Sequence, residues 1–149
     1  MSIKPEYKPK IFTGIALVAA VYIFFSGSLL IHNIPILLTQ VFGILLVIWA
    51  ILAIQMNQHH RGTHKLPEGY FLVTKGPYEI IRHPIYAGIM LFLSGYVQAE
   101  PSLLRYLVYA LFFIMLLMKL LYEEAVLEAE VKDYKEYQKK THRLIPFLY

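Results

Sequence analysis

Residues 76–88 read Gly-Pro-Tyr-Glu-Ile-Ile-Arg-His-Pro-Ile-Tyr-Ala-Gly, and they stand where a long apolar run begins. Arg82, His83, Tyr78 and Tyr86 are costly to keep at an apolar boundary, so their presence there points to function. Proline disfavours helical geometry in the residue before it and fits the first turn of a helix. The spacing therefore predicts a helix starting at Pro84, with His83 as its flank. The first backbone N–H groups of such a helix lack internal partners and suit a carboxylate or phosphate. Arg82 can add a bidentate contact to the same anion. Tyr86, four residues on, shares its face if the helix continues, and Gly88 leaves room for a close neighbour. The competing reading is a snorkelling arginine and an interfacial histidine that only anchor the helix.

Further groups lie downstream. Glu123 and Glu124 close an apolar run; one carboxylate can hold a cation such as an ammonium, or the pair can open a solvated acidic face. Lys119 stands one turn before Glu123, the weaker orientation for such a pair. Tyr134 and Tyr137 face the same way and can stack on a base or form an interfacial belt. Arg143 can meet a carboxylate or a lipid phosphate. His59, His60 and His64 invite a metal reading, but Gly62 weakens the helix that would align them and Glu68 is the sole nearby acid, so a solvated loop is the better reading.

The elements that must position these residues are apolar. Hydrophobic residues make up 58% of the 149 residues and charged ones 16%, too apolar for a soluble domain of this size. The length argues for a single domain, 1–149. The absence of cysteine excludes disulfides, thiolate metal sites and cysteine nucleophiles. A net charge of +4, placed beside apolar spans, suits anionic lipid headgroups, and no basic run with interleaved aromatics supports nucleic-acid binding.

Four apolar spans are expected, at about 11–31, 34–56, 85–97 and 103–122. A bilayer core of ~30 Å needs ~20 helical residues. The third span reaches that length only with the motif in the headgroup zone, or stays short and buried in protein. The first exceeds a signal-peptide core of ~7–15 residues, so it is read as an uncleaved transmembrane helix. Tight turns are expected at 31–35 and 98–102, and residues 70–74 as a short extended or interfacial piece. Lysines and arginines gather in the N-terminus, the 57–75 loop and the 123–149 segment, which places both termini and the candidate site on the cytoplasmic side. After Tyr122, apolar positions 126, 127, 131, 134 and 137 have helical spacing and predict one amphipathic helix ending near Thr141, with 144–149 free to return to the bilayer. The fold class expected is thus an all-α, multi-pass integral membrane bundle of about four transmembrane helices plus a C-terminal amphipathic helix.

The pattern Gly76-Pro77-Tyr78-x-x-x-Arg82-His83-Pro84-x-Tyr86-x-Gly88 resembles the signature of the isoprenylcysteine carboxyl methyltransferase family and its relatives, the membrane phospholipid methyltransferases. Glu123-Glu124, Tyr134-x-x-Tyr137 and Arg143-x-x-Pro146 continue the likeness in order. The resemblance covers about 72–146, which it marks as a cofactor-binding core behind an N-terminal helical hairpin, 1–56. It implies an integral membrane enzyme that uses S-adenosylmethionine on a lipophilic acceptor drawn from the bilayer, either a prenylcysteine-like carboxylate or a phospholipid amine. Carried over, it makes Tyr78, Arg82, His83, Tyr86, Gly88, Glu123 and Tyr137 cofactor candidates and sets Glu124 and Arg143 at the reacting end. Val131-Lys132 stands near where the family often has Phe-Gly. Membrane sterol reductases, which use NADPH, resemble the Arg-His-Pro-x-Tyr pattern too, but usually have Asn where Ile85 stands and are much longer. A non-catalytic membrane scaffold with a degenerate pocket is the remaining alternative.

Overall fold

A computed structural model describes residues 8–27, 33–59 and 72–146. Among them the chain is all-helical: α1 (Lys8–Phe25), α2 (Ile34–His59), α3 (Pro84–Ala99), α4 (Leu103–Glu130) and α5 (Tyr134–Lys140), with one 3₁₀ turn at Gly76–Glu79. Local chemistry fixes the helix starts. The Asn33 side chain accepts from the Ile36 N–H at 3.4 Å at the head of α2. The Ser102 hydroxyl accepts from the Arg105 N–H at 3.3 Å at the head of α4. Proline opens α3, as its sequence predicts, and the His83 carbonyl accepts its first bond from Ala87 at 3.1 Å. Pro101 follows the end of α3, where a helix is disfavoured.

Of the four expected spans, two have the length and apolarity to cross a membrane: Ile34–Asn57 and Leu103–Glu130. The α3 helix, with 16 residues, rises only about 24 Å, short of a ~30 Å hydrocarbon core. Large apolar side chains along α1, α2 and α4 stay exposed, among them Leu17, Phe42, Leu45, Leu103 and Leu107. That inverts the pattern of a soluble helix bundle and suits lipid contact. Several expectations fall outside the described residues: the turn at 31–35 except Asn33 and the residues after it, the loop with His60 and His64, Tyr70 and Phe71, and 147–149.

The chain forms two compact units. The first comprises Met1–Phe42 and Met90–Glu123, the second Gly43–Ile89 and Glu124–Tyr149. In the first, Ile23, Leu93, Val97, Phe112 and Leu120 are buried. Phe24, Phe92 and Tyr96 form an aromatic group, with Phe24 and Tyr96 edge to face at 5.2 Å. Arg105 is buried here too. Its Nη2 donates to the carbonyls of Ile23 at 3.3 Å and Tyr96 at 2.7 Å, in the last turns of α1 and α3.

In the second unit Gly88 brings α3 close to α2: a Cβ there would lie 2.6 Å from the Gly43 carbonyl oxygen and 2.6 Å from Val47 Cγ2. Gly76 has φ +66°, a left-handed conformation that favours glycine, and a Cβ there would meet Ala53 at 3.2 Å. The single amphipathic helix expected after Tyr122 is not what forms. The α4 helix runs unbroken through Glu123 and Glu124 to Glu130, the chain turns at 131–133, and α5 is separate, ending at Thr141 as expected. The turn is stabilised by burial of Val131 and Tyr134 against Leu72, Leu127 and Tyr137, apolar contacts that outweigh uninterrupted helical spacing.

Candidate functional site

The non-helical backbone that leads into Pro84 organises the site. Residues 80–83 cannot join α3, so their polar groups need other partners. They find them in the C-terminal segment. Arg82 N–H donates to the His142 carbonyl at 2.7 Å, His83 N–H to Arg143 at 3.1 Å, and His142 N–H to Ile80 at 3.0 Å. The result is a short parallel bridge, Ile81 to His142. It delivers Arg143 to the head of α3.

Glu124 lies at the centre, with 5% of its side chain exposed. Arg82 Nε donates to its Oε1 at 2.6 Å, and Arg143 Nε to its Oε2 at 2.8 Å. His83 Nε2 stands 3.5 Å from Oε1. Two guanidiniums thus share one carboxylate. Burial separates their roles: Arg82 is 8% exposed, Arg143 33%. Arg82 also donates through Nη1 to the carbonyls of Gln138 at 3.3 Å and Thr141 at 2.5 Å, and to Thr141 Oγ1 at 3.2 Å. The Thr141 hydroxyl in turn donates to the Tyr137 carbonyl at 2.7 Å.

Aromatic rings flank this cluster. His83 and Tyr86 stack with centroids 5.4 Å apart and planes 5° from parallel. The Tyr137 hydroxyl donates to the Tyr78 carbonyl at 2.7 Å, closing α5 onto the 3₁₀ turn. Burial pushes the Tyr78 phenol up to about 12 and raises that of Tyr137 as well. Both therefore keep their protons at neutral pH, as the Tyr137 bond requires.

The structure thus joins Tyr78, Arg82, His83, Tyr86, Glu124, Tyr137 and Arg143 in one connected set. Gly88 shapes the α2–α3 contact within the same unit. Glu123 belongs to the first unit, where Lys119 pairs with it at 3.2 Å. Gln138 and Thr141 were not expected. They act mainly through main-chain carbonyls, which leave no trace in residue type. Among the described residues no cluster of His, Asp and Glu has the make-up of a metal centre.

Residues 31–133 match a family described as phospholipid methyltransferase, well over half of the chain. The match includes the 76–88 motif and both glutamates, and it stops before α5. No curated protein matches the sequence. The chain belongs to the phospholipid methyltransferase family, which implies a methyltransferase acting on a lipid.

Proposed function

We propose that this phospholipid methyltransferase family member transfers a methyl group from S-adenosylmethionine to a lipophilic acceptor at the cytoplasmic membrane face. One observation carries the reading: Arg82, His83 and Arg143 converge on the buried Glu124 at the head of α3. The cofactor fits these residues in kind. Its carboxylate suits the planar guanidinium of the part-exposed Arg143. Its sulfonium and adenine suit the faces of Tyr78, Tyr86 and Tyr137. When bound, S-adenosylmethionine supplies a methyl group already activated by the sulfonium.

The protein's own task is then orientation and exclusion of water. Glu124 fixes Arg143 on one side, and His83 is held between Glu124 and the Tyr86 ring. The family favours a phospholipid amine as acceptor over a prenylcysteine-like carboxylate. An amine must lose a proton for transfer, whereas a carboxylate need not.

Calorimetry of the detergent-solubilised protein with S-adenosylhomocysteine tests the cofactor, and binding is expected. Incubation with radiolabelled S-adenosylmethionine and membrane lipid extract tests the reaction. Label stable to mild alkali marks an N-methyl amine, whereas alkali-labile label marks a methyl ester. Absence of both binding and transfer overturns the reading.

A further inference from the structure

We propose that Arg82 is a positioning residue: its guanidinium locks segment 138–143 onto the head of α3, so that Arg143 meets the cofactor in its place. This rests on the reading above for the identity of the ligand, but its geometry stands without one.

Arg82 uses its planar fork in two directions. The Nε edge holds the Glu124 carboxylate at the end of α4, while Nη1 gathers the Gln138 and Thr141 carbonyls and the Thr141 hydroxyl at the end of α5. A ligand taking Nη1 would strip those carbonyls of their donor inside a buried corner, which is unfavourable. The backbone bridge from 80–83 to 142–143 runs alongside. Together they determine where Arg143 Nε meets Glu124 Oε2 at 2.8 Å. Arg143 keeps a third of its side chain accessible, and Arg82 under a tenth. Lysine at 82 can keep the charge and the Glu124 pair, but a single ammonium cannot span both partner sets.

The test is hydrogen–deuterium exchange on the full-length, detergent-solubilised chain without ligand, alongside S-adenosylhomocysteine affinity, for wild type, Arg82→Lys, Arg82→Ala and Arg143→Lys. In Arg82→Lys, exchange across 138–143 is expected to rise roughly tenfold or more while the interior of α2 and the first two-thirds of α4 are unchanged. Affinity falls with it. Guanidinium ion added to Arg82→Ala at millimolar concentration is expected to restore protection and affinity in parallel. A change confined to affinity is the expectation for Arg143→Lys. The proposal is overturned if Arg82→Lys loses affinity while 138–143 keeps its protection, because Arg82 then contacts the ligand. Exchange that rises evenly over the whole chain also overturns it, since that marks general destabilisation. Failure of the wild type to bind S-adenosylhomocysteine overturns the cofactor reading instead, and the exchange result still decides the role of Arg82.

Discussion

Arg105 in the first unit and Arg82 in the second each carry a guanidinium out of water, with 5% and 8% of their side chains exposed. Arg105 is neutralised by dipoles: its partners are carbonyls in the last turns of two helices, where the backbone presents negative partial charge. Its nearest acid, Glu100, is 3.6 Å away and 46% exposed. Arg82 is neutralised by a buried carboxylate that also holds a second, more accessible arginine. One cation completes a helix junction; the other joins a cluster in which two arginines share one carboxylate. Burial of an arginine therefore says little about function until its partners are known.

Removing the carboxylate should separate the two cases most strongly. Glu124→Ala takes from two guanidiniums the carboxylate they share, and is expected to cost about 3–5 kcal/mol in denaturant titrations in detergent and to abolish cofactor binding. A stability equal to wild type would mean that the carboxylate does not hold the two arginines. Arg105→Ala loses two charge-assisted bonds and is expected to cost about 3 kcal/mol. The folded fraction should bind S-adenosylhomocysteine as wild type does; lost affinity would place Arg105 in the site after all.

Smaller effects sharpen the picture inside the second unit. Tyr137→Phe removes the bond to the Tyr78 carbonyl and is expected to cost about 1 kcal/mol, read in the same titrations. The raised phenol of Tyr78 sets an alkaline limit. Because its pKa in the folded protein, about 12, lies above the unfolded value near 10, its contribution is full below pH 10. It declines as pH rises from there to about 12, where the unfolded chain has released the proton and the folded one still holds it. Ultraviolet titration should show at least one tyrosine ionising late. Smallest of all, Glu123→Gln breaks the part-exposed pair with Lys119 and is expected to cost about 0.5 kcal/mol. A loss as large as that of Glu124→Ala would mean that the neighbouring glutamates are interchangeable.

The sequence made the start of α3 readable because proline imposes it, and it marked the members of the site by residue type. It did not reveal which members would be buried partners and which accessible. Arg82 and Arg143 look alike in sequence; the parallel bridge and the carbonyls of Gln138 and Thr141 separate them, and backbone groups have no sequence signature. The break between α4 and α5 was masked by helical spacing across 126–137. A signal was present, since Asp133 with Glu136 three residues later is a helix-start pattern, and the apolar periodicity outweighed it. In sequence Arg105 is no more than a charge just inside an apolar span. Its carbonyl partners, Ile23 82 positions away and Tyr96 nine positions away, are main-chain groups on two other helices.

Chain synthesis gives the two arginines different histories. Ile23 and Tyr96 precede Arg105, so its acceptors already exist when it is made. Arg82 must wait for Thr141, 59 positions later, an interval of roughly 3–12 s at about 5–20 residues per second. Glu124 arrives 42 positions after Arg82, and until Thr141 follows, the Nη1 edge of the guanidinium lacks the carbonyls that make its withdrawal from water tolerable. The corner around Glu124 is therefore among the last parts of the protein to mature, and a ribosome pausing between codons 131 and 141 would leave a nascent chain with its apolar helices made and its polar hub unassembled.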